Sequence, residues 1–430
     1  MKPRVPKKKK LFKTKMADQA SSNGCAKQRW IKLNVGGKVF LTTKTTLMKE
    51  PESFLSRLIL DDPDLQTDKV TINMNDSLQL FEKELSLVTK PIPKVTNADD
   101  VLIRVAYSGI CGTDLHIIAG EFPSSTKALT LGHEFSGIIE KVGSSVTTFK
   151  PGDRVVVNPN NNCHVCSYCI QGQIHFCKTG GLRSTVGIWR NGGWSQFCRV
   201  PSCLVHKVPD NLPLRLAALV EPYSCICRGF HQLGEVNPEA KILICGAGII
   251  GLLWSTLLHF KGFRNIVVSE ISEKRRNMVS ALNLGFTVAL PDYLVSQQRE
   301  SIRNGDDDWG FDVIIDCTGV PKAIEQAFNW LRRGAKFVIF GCCPKDSKIE
   351  LNPFDIFNKE LKIIGSLINP FTFPTAIRLT EDMAGAYLDF GKLGIQSFPL
   401  HEYSSALTAL KNGVVSKALF VIDDSLDSKV

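Results

Sequence analysis

The sequence predicts a protein of the α/β class whose largest feature is a doubly wound parallel sheet. Apolar strands alternate with helices from about residue 226 to 366, which is typical of that architecture. The first of these strands leads into the glycine-rich turn Gly246-x-Gly248-x-x-Gly251. The chain has 430 residues, enough for this sheet and one or two further domains.

Each element of the sheet has its own pattern in the sequence. Apolar, β-branched runs bounded by glycine or polar residues predict strands, and the longer apolar-periodic runs between them predict helices. The predicted elements are a strand from Ile242 to Cys245, a helix after Gly251, a strand from Asn265 to Ser269, a strand from Phe311 to Asp316, a helix over 321–333 and a strand from Ala335 to Gly341.

The glycine-rich turn predicts a dinucleotide site. Gly246 allows the tight turn, Gly248 lets the backbone approach a pyrophosphate, and Gly251 permits close packing of helix on strand. Glu270 ends the second strand, where an acid binds the adenosine ribose hydroxyls and repels a 2′-phosphate. NAD is therefore favoured over NADP, although Arg275 and its basic neighbours could accept a phosphate.

Four cysteines fall within fifteen positions at intervals of two, two and seven residues: Cys163, Cys166, Cys169 and Cys177. Four thiolates suit a closed, structural zinc site, and Gly172 with the polar approach at 160–162 can supply the turns that this site needs. Four unrelated buried cysteines are the alternative. Disulfides are not expected, because the first residues lack the apolar region of a secretory signal.

The net charge of +10 is concentrated in one segment. Residues 1–15 carry eight basic side chains and no acid, which leaves +2 for the rest of the chain. The basic character therefore belongs to a leader and not to a nucleic-acid-binding face, and no apolar run is long enough to span a membrane. A disordered leader (1–27) on a cytoplasmic protein is expected, with nuclear or mitochondrial targeting left open.

Metal-capable residues also lie outside the predicted sheet. Cys111, His133 with Glu134, and Glu221 precede it in the chain. One cysteine, one histidine and one carboxylate around zinc, with a position left open, form a catalytic arrangement. Together with the cysteine cluster and the nucleotide turn, they predict a second, catalytic zinc.

The chain from about 77 to 424 resembles the zinc-dependent medium-chain alcohol and polyol dehydrogenases. The resemblance is carried by VLIRVAYSGICGTDLH (101–116), LGHEFSGIIEKVG (131–143), PGDRVVV (151–157), the four-cysteine segment, LVEPYSC (219–225) and GAGIIG (246–251). It implies that Cys111, His133 and Glu221 hold the catalytic zinc, with Glu134 as a water-linked neighbour or occasional ligand. It also implies that Thr113 passes the alcohol proton towards solvent, with His116 as a relay partner.

The resemblance implies the domain organisation as well. A barrel-like, mainly β catalytic domain of the GroES-like type (77–225 and 367–430) is interrupted by the NAD-binding domain (226–366). The expected cofactors are two zinc ions and NAD, the expected partner is a small alcohol or polyol, and the expected assembly is a dimer or tetramer.

The substrate is narrowed by two departures from the sorbitol dehydrogenases. Ile117 stands where those enzymes carry an aromatic residue, and Ile368, followed by Asn369, stands where they carry an arginine. The segment GSLINPFTFP (365–374) is more similar to dehydrogenases of arabinitol or altritol. A sugar alcohol or short diol is the expected substrate, with threonine as an alternative.

The region 28–70 predicts a separate, truncated α+β module. Alternation in WIKLNVGGKVFLTT (30–43) predicts a hairpin with unpaired outer edges, and helical patterns follow near 46–49 and 52–60. LNVGG, KEPESFLSRL and DPDLQTDK resemble a potassium-channel-type tetramerisation (BTB-like) domain up to about Lys69. The resemblance implies self-assembly or a cullin-type partner, so an oligomerising adaptor with a dehydrogenase-like passenger is the alternative function.

Overall fold

The computed structural model describes residues 30–35, 38–43, 70–71, 74–81, 83–125, 128–306 and 308–427, with side chains from residue 74 onward. The chain forms two compact units that divide between Met74 and Asn75. Among these described residues, no helix has the length and apolar character that a membrane crossing requires.

The first unit contains a small sheet of three strands, β1 (Trp30–Val35), β2 (Lys38–Thr43) and β3 (Val70–Thr71). β1 and β2 pair in antiparallel register, which confirms the predicted hairpin. One expectation is wrong: β3 pairs with β1 in parallel, so this edge of the hairpin is partly covered. The leader 1–27 and the helices expected near 46–49 and 52–60 lie outside the described residues.

Most of the secondary structure belongs to the second unit. The strands from Met74 onward are β4 (Met74–Phe81), β5 (Glu84–Pro91), β6 (Asp100–Gly109), β7 (Leu129–Thr130), β8 (Phe135–Val142), β9 (Arg154–Val157), β10 (Phe197–Pro201), β11 (Val205–Lys207), β12 (Ile242–Cys245), β13 (Ile266–Ser269), β14 (Thr287–Ala289), β15 (Phe311–Asp316), β16 (Leu331–Ile339), β17 (Lys362–Gly365), β18 (Ile395–Pro399) and β19 (Lys417–Val421). The helices are α1 (Gly112–Ala119), α2 (Ser167–Ile170), α3 (Leu214–Ala217), α4 (Val220–Leu233), α5 (Ile249–Phe260), α6 (Glu273–Ala281), α7 (Pro291–Arg303), α8 (Pro321–Phe328), α9 (Pro353–Asn358), α10 (Phe373–Met383) and α11 (Tyr403–Lys411).

The mainly β part of this unit is built around β6, whose residues are almost all buried. β6 pairs with β8, β10 and β19 in a seven-stranded sheet with the path β11-β9-β8-β6-β19-β18. A smaller sheet, β5-β4-β7, accompanies it. Because β18 and β19 come from the C-terminal end of the chain, the prediction that the chain returns to its first domain after the nucleotide domain is confirmed.

The nucleotide domain is a parallel sheet, as predicted, and its six strands follow the order β14-β13-β12-β15-β16-β17. Its central strands are apolar on both faces because helices cover both sides. The expected domain boundary between residues 225 and 226 lies inside α4, which runs without a break from Val220 to Leu233.

One predicted helix is too long. The pattern over 321–333 predicts a single helix, whereas α8 ends at Phe328 and Leu331 begins β16. Leu331 and Trp330 are buried, and Leu331 pairs with Phe311 of β15. Pairing in the sheet therefore takes priority over the helical periodicity of these last residues.

Candidate active site and nucleotide-binding turn

Cys111, His133 and Glu134 come together between the start of α1 and the start of β8. Their ligand atoms all lie within 4.8 Å of one another. Cys111 is the N-cap of α1, and its backbone N–H donates to the Asp114 carboxylate at 2.8 Å. A thiol, an imidazole and a carboxylate are the donor types that catalytic zinc sites use, so these residues fit the metal that the sequence predicts.

His133 faces Asp114, to which sequence reasoning gave no role. The two groups are buried, with His133 Nδ1 3.4 Å from Asp114 Oδ1, and neither atom has hydrogen-bond geometry to a partner. Burial lowers the pKa of His133, but the neighbouring Asp114 and Cys111 outweigh it and raise that pKa well above its ordinary value. Nδ1 therefore faces an acid, and Nε2 is left for a metal.

Lys417 on β19 is a second residue that sequence reasoning missed. Its ammonium group contacts Glu134 Oε2 and donates to the Ile110 carbonyl at 3.3 Å. Burial lowers the pKa of Lys417, and the nearby anions, Glu134 first, raise it above its usual value. The site has room for this pair because Gly109 lacks a side chain: a Cβ there would collide with both groups.

Glu221 lies in the first turn of α4, beside the cluster and not within it. Among the described side chains, it does not join the group of three that could hold one ion. Burial raises the pKa of Glu221 to about 7, with Glu134 acting in the same direction and His133 and Lys417 opposing it. The Cys225 thiol approaches Glu221 Oε1 at 3.6 Å.

The groups expected to move the proton lie on α1. Thr113 is half-buried in the first turn, and His116, in the last turn, is 42% exposed at its side chain. His116 Nδ1 lies 2.7 Å from Glu121 Oε2, and that carboxylate is itself open to solvent. The geometry connects the helix carrying Cys111 to the surface, with Glu121 as a partner that the sequence did not indicate.

The four cysteines of the predicted structural site converge. Sγ separations are 3.9 Å for Cys163–Cys169, 3.6 Å for Cys166–Cys169 and 4.0 Å for Cys166–Cys177. A tetrahedral zinc with Zn–S bonds of about 2.3 Å would hold its sulfurs about 3.8 Å apart. These residues therefore fit zinc without rearrangement, and Gly172 makes the expected left-handed turn at φ 75°.

Backbone amides around the cluster favour the thiolate form of Cys177. Cys163 N donates to Cys177 Sγ at 3.3 Å, and Gly180 N donates to the same sulfur at 3.2 Å. Burial raises the pKa of Cys177, but these donors, with Thr179, bring it down to about 6. The anionic form is the one that binds a metal.

The glycine-rich turn has the predicted geometry. Gly246 adopts φ 94°, and a Cβ on Gly251 would collide with the Gly246 carbonyl oxygen. Gly248 is the N-cap of α5, and a Cβ there would meet nothing within 4 Å. The helix therefore begins at an open position where backbone N–H groups can face a phosphate.

Glu270 is buried beside this turn. Its carboxylate accepts from Ala247 N and from Ser272 N, both at 2.8 Å. Arg275 is 37% exposed, and its guanidinium lies 4.0 Å from Glu270 Oε2. The structure thus brings the two predicted cofactor residues together at the carboxyl edge of the parallel sheet.

Family models match both parts of the second unit. The alcohol dehydrogenase GroES-like domain matches residues 97–210, and the zinc-binding dehydrogenase domain matches residues 250–382. A D-altritol 5-dehydrogenase from Agrobacterium fabrum is 33% identical over 284 residues, which are 65% of this chain and 80% of that relative. The chain belongs to the zinc-binding alcohol dehydrogenase family. It is an oxidoreductase of the alcohol and polyol dehydrogenase type, for which zinc and NAD(P) are the cofactors.

Two further members of the zinc-binding alcohol dehydrogenase family show how much of the chain is shared. D-arabinitol dehydrogenase 1 from Uromyces fabae is 29% identical over 75% of this chain and 88% of its own length. A zinc-binding dehydrogenase from Sinorhizobium meliloti 1021, solved bound to NADP, superimposes with a TM-score of 0.73 at 31% identity. That structure covers 81% of this chain and is itself covered completely.

The N-terminal region matches a different family. A BTB/POZ domain model matches residues 31–102, further than the limit near Lys69 expected from the sequence. The added part includes β4 and β5, and β4 pairs with β7 of the dehydrogenase unit. The two matches therefore overlap in sequence, and residues 97–102 are assigned to both.

Proposed function

We propose that the protein is an NAD-dependent, zinc-containing dehydrogenase that oxidises a secondary alcohol. The proposed substrate is a polyol or sugar alcohol. The observation that carries the proposal is the cluster of Cys111, His133 and Glu134 within 4.8 Å, in a chain that also has an open glycine-rich nucleotide turn. Metal-assisted hydride transfer needs both features.

The proposed metal ligands are Cys111, His133 and Glu134, with Glu221 as the adjacent carboxylate. The ligand-atom distances support Glu134 as the third ligand in preference to Glu221. When bound there, zinc would polarise the substrate hydroxyl and lower its pKa. The chain's own contribution is to hold the imidazole against Asp114 and to balance the buried carboxylate with a lysine.

The proposed proton path runs along α1. The Thr113 hydroxyl takes the proton from the substrate hydroxyl, and His116 carries it outward. The contact of His116 Nδ1 with Glu121 at 2.7 Å fixes the ring and opens the path to solvent. His133, Glu134 and Lys417 are buried, which would limit the access of water to the reacting atoms.

NAD is the proposed cofactor because of Glu270. A 2′-phosphate at the end of β13 would meet this buried carboxylate, which two backbone N–H groups hold in place. Glu270→Ser should therefore move the preference towards NADP, since Arg275 remains nearby. A wild-type enzyme that turns over faster with NADP than with NAD would contradict this assignment.

The polyol assignment rests on the named relatives, which act on D-arabinitol and D-altritol. The experiment is a panel of sugar alcohols, short diols and threonine, read by NADH or NADPH absorbance. The highest kcat/KM is expected for a sugar alcohol with NAD. A preference for threonine or a simple diol would contradict the polyol assignment and would leave the metal and cofactor proposals unchanged.

Residues 28–70 are proposed as an accessory BTB-like segment. The protein is proposed to be a cytoplasmic homo-oligomer, and each chain is proposed to hold two zinc ions. The domain proposal places the catalytic barrel at 77–225 and 367–430 and the NAD domain at 226–366. The BTB/POZ match favours, as a second candidate, an adaptor function through self-assembly or a cullin-type partner. Light scattering of the full chain and of a chain lacking residues 1–70 separates these roles.

A further inference from the structure

The loop after β17 contains backbone strain that its neighbours must compensate. Ile368 adopts φ 43° and Phe371 adopts φ 61°, although neither is glycine. A β-branched residue in this region is an outlier, and such residues persist where surrounding contacts fix them. Between the two lies Asn369, which is 1% exposed, whereas Phe371 is 68% exposed. The loop turns an amide inward and an aromatic ring outward.

Asn369 is the middle of a chain of side-chain hydrogen bonds. Thr185 Oγ1 donates to Asn160 Oδ1 at 2.9 Å, and Asn160 Nδ2 donates to Asn369 Oδ1 at 2.9 Å. Asn369 Nδ2 then donates to Ser224 Oγ at 2.8 Å, and Ser224 Oγ donates to the Glu221 carbonyl at 2.5 Å. All four bonds point the same way, so each polarises the next.

The chain connects parts of the fold that are distant in sequence. Asn160 lies three residues before Cys163, the first ligand of the predicted structural zinc. Its neighbour Asn161 pairs with Gly181 and closes the base of the cysteine segment. The other end of the chain is the first turn of α4, which carries Glu221 beside the catalytic cluster.

The loop holds the same turn of α4 a second time. Thr372 Oγ1 donates to the Ser224 carbonyl at 2.6 Å, and Thr372 is 1% exposed. Both hydroxyl and carbonyl of Ser224 are thus fixed from the 366–372 loop. The position of the Glu221 carboxylate depends on this turn, since within the described part of the chain that carboxylate accepts one long hydrogen bond, from the Cys225 thiol at 3.6 Å.

We propose that Asn369 is a positioning residue of the dehydrogenase, which holds Glu221 beside the catalytic metal site and links that site to the base of the four-cysteine segment. The inference rests on the proposed metal-dependent function. The Asn369 carboxamide accepts from Asn160 through its oxygen and donates to Ser224 through its nitrogen, whereas a carboxylate can only accept. An aspartate at 369 would turn the Ser224 hydroxyl away from the Glu221 carbonyl, which breaks the last link without changing the shape of the side chain.

The test compares Asn369→Ala and Asn369→Asp with Asn304→Ala, an exposed asparagine at the end of α7. Two quantities are measured. One is kcat/KM for the best polyol, and the other is the rate at which the first zinc ion to leave the protein passes to a chelating dye. Both 369 variants should lower kcat/KM about tenfold or more, with KM for NAD unchanged, and should speed zinc release by a similar factor. Asn304→Ala should change neither.

The decisive comparison places Asn369→Ala in a Glu221→Gln background. If Asn369 acts through Glu221, adding Asn369→Ala to Glu221→Gln should alter the rate of zinc release by no more than about twofold. The reason is that the side chain at position 221 is already neutral in this background. Equal effects in both backgrounds would overturn the proposal and leave Asn369 a structural residue. Asn160→Ala should reproduce the result if Asn369→Ala does not fold.

Zinc release also separates this inference from the function on which it rests. A chain that oxidises no alcohol but shows the non-additive zinc release refutes the proposed reaction and keeps the positioning role. A chain that oxidises polyols with unchanged kinetics in all 369 variants refutes the positioning role alone.

Discussion

Replacing Lys417 by methionine tests the electrostatics of the catalytic cluster. The lysine and Glu134 have side chains that are 2% and 3% exposed, so neither charge can turn to solvent. Methionine keeps the unbranched shape of lysine and removes the ammonium group. In metal-free protein this leaves Glu134 as a buried, uncompensated carboxylate.

Breaking a buried pair in this way costs about 3–5 kcal/mol of folding stability. We expect that loss in metal-free protein, and less than about half of it with zinc bound, because the metal then balances the Glu134 charge. Urea unfolding with and without zinc measures both values. Trp194 is fully buried, and its ring centroid lies 5.2 Å from that of Phe420 on β19. Its fluorescence therefore reports on structure next to the site.

Lys411→Met is the matched control, because Lys411 is exposed at the end of α11. It should change stability by less than about 0.5 kcal/mol. Glu134→Gln combined with Lys417→Met should recover most of the loss, since no unpaired charge remains. A loss below about 1 kcal/mol for Lys417→Met in metal-free protein would refute the reasoning.

Three further predictions address other parts of the molecule. Cys163→Ser should lower the zinc content from about two ions per chain to about one. The control is Cys203→Ser, which removes an exposed thiol outside the cluster and should leave the zinc content unchanged. Equal zinc contents in the two variants would contradict a second zinc site. Burial lowers the pKa of His206, so the folded state resists its protonation and stability falls as pH drops through about 6.5, by at most about 1.4 kcal/mol per pH unit. His206→Gln should make the urea midpoint depend less on pH between about pH 7 and 5.5. The control His401→Gln, at an exposed histidine, should leave that pH dependence unchanged. Parallel curves for the two variants would show that His206 does not cause the loss of stability. Deletion of residues 1–70 should keep specific activity within about twofold, and inactive monomers after deletion would show the segment to be a working assembly module.

The nucleotide domain and the cysteine segment could be predicted because their information is local. The strand at Ile242, the turn at Gly246 and the spacing from Cys163 to Cys177 each occupy one short stretch of chain. Their geometry follows from steric needs that sequence displays directly, such as the contact that forbids a side chain at Gly251.

The residues that the sequence did not reveal act over long separations. Lys417 reaches Glu134 only because β19 pairs with β6, and that pairing is a property of the completed fold. A lysine leading into the apolar run Ala418–Val421 was the available signal. Asp114 was closer to detection, since an acid three residues after Cys111 has capping-box spacing.

The end of α8 shows a limit of a different kind. Residues 329–333 continue a helical pattern, but Leu331 gains more by pairing with Phe311 in the sheet. The third metal ligand is a similar case, because sequence order cannot decide whether Glu134 or Glu221 lies nearer to Cys111 and His133. The ligand-atom distances favour Glu134.

Metal-dependent NADH formation from a polyol tests the central proposal most directly. Wild-type protein and Cys111→Ser are treated with a chelator, assayed with NAD and the best sugar alcohol, and assayed again after zinc is restored. Wild type should lose its activity and regain it with zinc, while Cys111→Ser stays inactive yet folded and able to bind NAD. If Cys111→Ser keeps near wild-type activity in metal-depleted buffer, the assigned site does not carry the reaction.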